Sequence, residues 1–497
     1  MLNDTAPPVE AAPGLQPAGA ARATDPGSGK APAPPAARLG WLDGLRGIAA
    51  LLVAVHHFGL LNWFPWGADF GKRFDLGIYA VMLFFLVSGY IVPASLERRG
   101  DVRGFWVGRI FRIYPLVIIV VTLSLVLLPR HYSAVPSQVT DRPFWAYLAN
   151  LTLLHEMTNI ASALGAMWTL CYEMVFYFFV SALFVNGRHQ QSAPISAFFA
   201  GAALLLGAWW TPQLITPKAP WVDPAPTHYI IIATAVLMAT GLVLVLIGSP
   251  KATRIGAMVL GGLGAALLFV NARSTFFESM MILATMFAGT AIFRAEKHQI
   301  NRRLAAACCL FVLASGFLVG YLYNDKAAQS RTWTSTWEGF SLPYVAAWAT
   351  FGLGMLLRNR RWPRVLPWLG SISYSVYVVH IPILWGTWWL KDKVISFPAT
   401  GHGRWLLPAF FLAAVLVASQ LTHKLIELPG QRLGKRVATA LDRRTRRVPH
   451  VPLPSPADET DRRHAETPGA STATSSASTT SASATSASGD GVRPVGE

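Results

Sequence analysis

Leu42-Asp43-Gly44-Leu45-Arg46-Gly47 leads through an apolar run into His56-His57-Phe58, so an arginine and a histidine stand inside a segment long enough to cross a bilayer. Ionisable groups are costly in lipid, and those found there usually have a function. On a helix the step from Arg46 to His57 covers about 16 Å of rise and closes about three turns, which puts both side chains on one face. His56 points about a quarter-turn away. The plain alternative is a helix-end arginine snorkelling to the headgroups beside a packed histidine.

The rest of the chain sets that helix among many others. Of 497 residues, 53% are hydrophobic and 13% charged, half the charge of a soluble domain. Apolar windows of about twenty residues fall near 42–61, 75–95, 113–129, 167–185, 193–211, 228–247, 255–271, 276–293, 304–323, 340–357, 370–390 and 405–426. The fold class is therefore all-α, a polytopic transmembrane bundle of about ten to twelve helices. Residues 1–38, rich in Ala and Pro and without a cleavable leader pattern, read as a disordered tail. Residues 434–497, basic and then Ser/Thr/Ala-rich, read the same way, which leaves 39–433 as the membrane domain. Phe144 to Leu154 lies in a long connection and is expected to fold back on the outer surface or dip into a cavity.

The formal net charge of +17 does not point to nucleic acid, because the basic residues lie between apolar runs and form no stripe. Arg98, Arg99, Arg103, Arg109 and Arg112 form one loop cluster. Others follow near Lys251, near Arg294 to Arg303, near Arg358 to Arg364 and in the C-terminal tail. By the positive-inside rule these loops and both termini face the cytoplasm, and the intervening loops, richer in Trp, Pro and Asp, face outward. Cys171, Cys308 and Cys309 sit in apolar runs with no metal or disulfide spacing, so they are packed thiols and no metal site is expected.

Four more segments carry a resemblance. They are Met82 to Tyr90 (MLFFLVSGY), Arg109 to Pro115 (RIFRIYP), Trp168 to Tyr177 (WTLCYEMVFY) and Ser371 to His380 (SISYSVYVVH). With Arg46 and His57 ahead of them and Ile426-Glu427-Leu428-Pro429 behind, their order and positions resemble the membrane-bound acyltransferase family 3. That family's members are bacterial proteins that O-acylate envelope glycans and some small molecules. The resemblance spans about residues 41 to 433 and makes Arg46 and His57 the family's signature pair. Met174-Val175 departs from a usual Glu-Gln, so Glu173 alone carries over as the acid, and Leu428 replaces a usual Arg. The family's frequent C-terminal hydrolase-like domain is not seen after residue 433, so the chain is expected to finish the transfer itself or to hand over to an envelope-assembly partner.

The chemistry can also be read from the residues. Acyl transfer from a thioester to a hydroxyl needs a base near neutrality, and histidine fits, so His57 is the candidate general base, with Arg46 and Glu173 as the other candidate catalytic groups. Coenzyme A carries phosphates that guanidinium forks hold well, which suggests Arg46, Arg109 and Arg112 for the donor; topology-setting charge is the simpler role for the last two. Glu173 in an apolar run needs a partner, with Arg46 or His57 in view. Tyr177, Tyr374 and His380 are the candidate acceptor-side residues; against that, Tyr374 and Tyr377 suit an aromatic belt, and His380 with Pro382 a helix cap at the outer surface, the favoured role for His380. Ser88-Gly89 reads as a close helix contact.

The expected function is an inner-membrane O-acyltransferase, with acetyl the expected group. It would take acetyl-coenzyme A from the cytoplasm as donor substrate, hold no permanent cofactor, and modify a hydroxyl of an envelope saccharide. The competing class is a carrier for a lipid-linked or anionic substrate, with Arg46, His57 and Glu173 as a relay. A catalytically dead scaffold would give Arg46 and His57 no reason to share a face.

Overall fold

Backbone amides find no water in a bilayer core, so apolar segments of this length are stable there as helices or as strands of a closed barrel. A computed structural model describes residues 40–127, 137–207, 209–210, 213–216, 224–324, 332–398 and 401–445, and the regular elements among them are helices. They are α1 (Gly40–Phe58), α2 (Gly67–Arg73), α3 (Leu76–Arg99), α4 (Val102–Leu127), α5 (Ser137–Asp141), α6 (Pro143–Thr152), α7 (Trp168–Val185) and α8 (Ser192–Leu206). The second half contains α9 (Ala225–Ile247), α10 (Pro250–Val270), α11 (Phe276–Glu296), α12 (Arg302–Val319), α13 (Trp337–Leu356), α14 (Val365–Lys393), α15 (Leu406–Thr422) and α16 (Leu428–Thr445). Each apolar window of the sequence is one of these helices. Among the described residues, ten helices are long and apolar enough to cross a membrane: α3, α4, α7 and α9 to α15. The other two windows are α8, short at 15 residues, and α1, which carries Asp43 and Arg46.

Burial sorts centre from rim. The apolar windows of α11, α14 and α3 are 89%, 78% and 72% buried, whereas those of α9 and α15 are 28% buried. The first three form the middle of the bundle, and the last two present their apolar sides outward, as lipid-facing helices do. The charged helix α1 packs against α14 and α3, which shelter Arg46 and His57 within protein while His56 stays partly exposed. Close approach of α1 and α14 depends on two glycines: a side chain on Gly47 would run into the backbone of Gly370, and one on Gly370 into the carbonyl of Asp43. Gly89 of the Ser88-Gly89 pair likewise sits against the backbone of Met286 on α11, and Thr290 Oγ1 donates to Gly89 O at 2.8 Å, a packing contact.

Two features differ from the sequence expectation, and in the long connection one of the two expected courses is the one taken. Arg103, Arg109 and Arg112 are not in a loop, because α4 begins at Val102 and carries them along its first turns. Residues 152–164, following the amphipathic α6, are buried, so this connection dips into the protein. In it His155 lies against Cys171, with Nδ1 3.5 Å from Sγ. Burial, helped by nearby Arg273, pushes His155 down to about 3, so it stays neutral at ordinary pH. The expected tail boundary at residue 434 falls inside a helix, since α16 continues to Thr445. Most of the 434–497 tail and residues 1–38 lie outside the described residues.

Candidate active site

At the first turns of α1, Arg46 lies over the ring of Phe84 on α3, 5.6 Å from its centroid, and its Nε has no hydrogen-bond partner among the described residues. Carboxylates of Glu173 and Asp43 and the guanidinium of Arg112 are all within electrostatic reach of it. Arg109, two turns into α4, stacks over the rings of Tyr177 (4.8 Å) and Phe105 (5.1 Å) and donates from Nη1 to Tyr177 Oη at 3.4 Å. Tyr177 in turn donates to Glu173 Oε1 at 2.5 Å. The expected partner of Glu173 was Arg46 or His57. The i, i+4 spacing on α7 instead puts Tyr177 directly over it.

Arg112, one turn beyond Arg109, reaches Glu427 on a π-helical turn (His423–Glu427) between α15 and α16, with Nε 3.9 Å from Oε1. Glu427 is 1% exposed, and a carboxylate so placed needs several donors. It has them in His423 Nδ1 at 2.8 Å, Gln431 Nε2 at 3.0 Å and Ser375 Oγ at 3.2 Å. Between α3, α4 and α16 lies a cavity of about 470 Å³, lined by Arg99, Arg109, Arg112, Gln431 and Lys435 among others. Its size is that of a small-molecule site, and its charge is cationic.

The other end of the same α1 face carries His57. Its Nδ1 lies 2.9 Å from Val53 O, and a carbonyl can only accept, so Nδ1 holds the proton and Nε2 keeps a lone pair. His380 on α14 repeats the pattern: Nδ1 is 3.1 Å from Val376 O, and the buried Nε2 has no partner among the described residues. The two rings stand 5.1 Å apart, centroid to centroid. Between the arginine and histidine ends, a small cavity of about 10 Å³ is lined by Ala50, Val53, Val81, Phe84, Phe85, Thr169 and Tyr377. Ala50 and Val53 lie on the face that Arg46 and His57 share. That volume holds about one water-sized group.

The sequence candidates thus fall into two groups. Arg46, Glu173, Tyr177, Arg109 and Arg112 gather at one end, and His57 and His380 at the other. Tyr177 and Tyr374, expected on the acceptor side, lie with the arginines; Tyr374 Oη donates to Ile113 O on α4 at 2.6 Å. His380 caps nothing, because α14 runs on past Pro382 to Lys393. Tyr377 is no belt residue either, since its hydroxyl bonds Thr169 and Ala166 O inside the bundle. Sequence reasoning missed Glu427, Arg99, Gln431 and Lys435. Two of them left a signal: Arg99 stands in one basic cluster with Arg109 and Arg112, and Glu427, in the closing motif, has a histidine four residues before it and a glutamine four after.

Comparison with known proteins agrees in extent with this helical frame. The acyltransferase 3 family model, an acyltransferase domain, matches residues 39–423. YrhL of Bacillus subtilis, provisionally named a peptidoglycan O-acetyltransferase, is 24% identical over 80% of this chain and 55% of its own length. The peptidoglycan O-acetyltransferase OatA of Listeria monocytogenes is 22% identical over 79% of this chain and 56% of its own. The acyltransferase MdmB of Streptomyces mycarofaciens is 31% identical over 29% of this chain and 38% of its own length. The chain thus spans about half the length of the first two relatives. No solved structure matches it significantly. A family match running from the residue before α1 to the first residue of the π-helical turn makes this chain a member of the acyltransferase 3 family.

Proposed function

We propose that this protein is an integral-membrane O-acetyltransferase that moves an acetyl group from acetyl-coenzyme A to a hydroxyl of a cell-envelope saccharide. The observation that carries it is a cationic cavity between α3, α4 and α16, whose Arg112 lies within electrostatic reach of Arg46 on α1, together with His57 at the other end of the face that Arg46 shares, its Nε2 free of the tautomeric proton. Arg99, Arg109, Arg112 and Lys435 suit the phosphates of coenzyme A, since forked guanidinium donors pair with phosphate oxygens. The pantetheine arm is an extended thiol-bearing chain and would run past Arg46 and Phe84 toward His57, over about 16 Å. The narrow space beside Ala50 and Val53 favours a short acyl group.

In the reaction, His57 Nε2 takes the proton of the acceptor hydroxyl as its oxygen attacks the thioester carbonyl. The tetrahedral intermediate then collapses with cleavage of the carbon–sulfur bond, and the proton passes from His57 to the departing thiolate. The Val53 carbonyl holds the imidazole in the tautomer this requires. Arg46 helps hold the donor. Glu173, hydrogen-bonded to Tyr177, supplies negative charge near that arginine cluster. The names of the two long relatives support peptidoglycan as the first acceptor to try. The donor side is the cytoplasm, by the positive-inside distribution of the basic loops.

Purified protein in nanodiscs with acetyl-coenzyme A and solubilised peptidoglycan fragments should release free coenzyme A thiol in proportion to acceptor acetylated. Binding of the same substrates with the thioester left intact would instead favour a carrier.

A further inference from the structure

An acyl transfer needs a second substrate beside its base, and the histidine end of α1 has a second pocket. It holds about 110 Å³ between the last turn of α1, the 3-10 turn Leu60–Trp63, α2 and the start of α3. Its polar lining is His56, Asn62 and Asp75. His56 stands edge-on to His57, 5.3 Å between ring centroids, so the pocket abuts the base.

We propose that this pocket is the acceptor subsite and that it takes a saccharide ring; this rests on the O-acetyl transfer proposed above. The Asn62 side chain is exposed and makes no hydrogen bond among the described residues, so its amide has donors and an acceptor to offer. Asp75 uses Oδ1 to cap α3, accepting from Ile78 N at 2.9 Å with His56 Nδ1 3.8 Å away, and its second oxygen has no donor among the described residues. Phe74 on the pocket wall begins a chain of rings through Phe70 to Trp66 to Phe64, each 5.0–5.8 Å from the next. Trp66 and Phe70 are 53% and 41% exposed. Flat apolar faces beside an amide and a carboxylate match a sugar, which presents C–H faces and a rim of hydroxyls. A lipid headgroup region would engage the aromatic rings as well, and the saccharide acceptors of the assay below separate the two.

Gly71 provides a clean test, because it lines the pocket and a Cβ added there meets nothing within 4 Å. The Cβ of Gly71→Leu would enter open space, and the larger side chain would take up room in the pocket. The assay measures acceptor-dependent thiol release from acetyl-coenzyme A with peptidoglycan glycan fragments, chitotetraose and cellotetraose as acceptors. The slow release of thiol to water, measured without acceptor, reports the donor half alone. We expect Gly71→Leu, Asn62→Ala and Trp66→Ala each to raise the acceptor KM at least fivefold, with unchanged acetyl-coenzyme A KM and unchanged release to water. Acceptor KM values equal to wild type in all three variants would overturn the subsite, as would a loss confined to the amount of protein in the membrane. Wild-type release to water that no saccharide accelerates would overturn the saccharide. A wild type that neither binds nor cleaves acetyl-coenzyme A would overturn the transferase reading beneath it.

Discussion

His56 and His57 adjoin in the chain yet face different surroundings, one toward Asp75 and the pocket beside α2, the other toward Val53 O and His380. Their variants should therefore part company. His57→Gln should lower kcat for acetyl transfer by about 10²–10⁴-fold, the usual worth of a general base, with normal protein level and detergent stability. His56→Gln should keep kcat within a few-fold. Equal losses in both, tracking loss of protein, would assign His57 to packing. Arg46→Lys replaces a fork with a point charge and should weaken coenzyme A binding by about 2 kcal/mol, whereas His57→Gln should bind it normally. Titration calorimetry on the two variants checks this, and wild-type affinity in Arg46→Lys would remove Arg46 from the donor site and leave the donor to Arg99, Arg109, Arg112 and Lys435 alone. Helical periodicity made the shared face of Arg46 and His57 legible in the sequence. It could not show His380 beside His57, because that pairing is set by the packing of α1 on α14, helices from opposite ends of the chain. The tie from Glu173 to Tyr177 lay within its own helix, but the pull of a nearby arginine hid it.

Among the elements, α16 controls the cationic cavity. Gly430 and Gly434 bring it onto α4, where an added Cβ would lie 2.6 Å from Phe111 O and 2.7 Å from Phe111 Cβ respectively. Gln431 and Lys435, next to these glycines, line the cavity, and Glu427 holds Arg112 and Gln431 at its edge. Gly434→Leu should push α16 off α4 and raise the acetyl-coenzyme A KM about tenfold while leaving acceptor KM unchanged. A variant with normal donor KM and reduced kcat alone would show that α16 does not shape the donor site. The membrane helices were legible because each needs some twenty apolar residues. The start of α4 was not, since its arginines lower the local hydropathy while protein neighbours shelter them. The extent of α16 was hidden as well: its polar composition reads as tail, and only contact with α4 makes it part of the bundle.

The whole molecule has two unlike ends, and the account depends on that polarity. Ends of helices far apart in the chain, α3, α11 and α13, meet through ion pairs on the basic side, with Arg294 to Glu97 at 2.6 Å and Arg358 to Glu296 at 2.9 Å. The sequence foretold this gathering by the spacing of its basic loops, although which loops touch follows only from the packing. Single cysteines near Arg103, Lys297 and Arg360 should label only from the cytoplasm, and one near Pro224 only from outside. Labelling of Arg103 and Lys297 neighbours from outside would reverse the donor side. The central claim is that one face of α1 leads from Arg46, within electrostatic reach of Arg112 in the donor cavity, to a base at the histidine end. Proteoliposomes of known orientation test it most directly, with radiolabelled acetyl-coenzyme A confined to the side of Arg109 and peptidoglycan fragments confined to the side of His57. Labelled acetate on the fragments, with an equal amount of thiol on the donor side and neither product in His57→Gln, is the predicted result. Transfer only when donor and acceptor share one side, or undiminished transfer in His57→Gln, would contradict it.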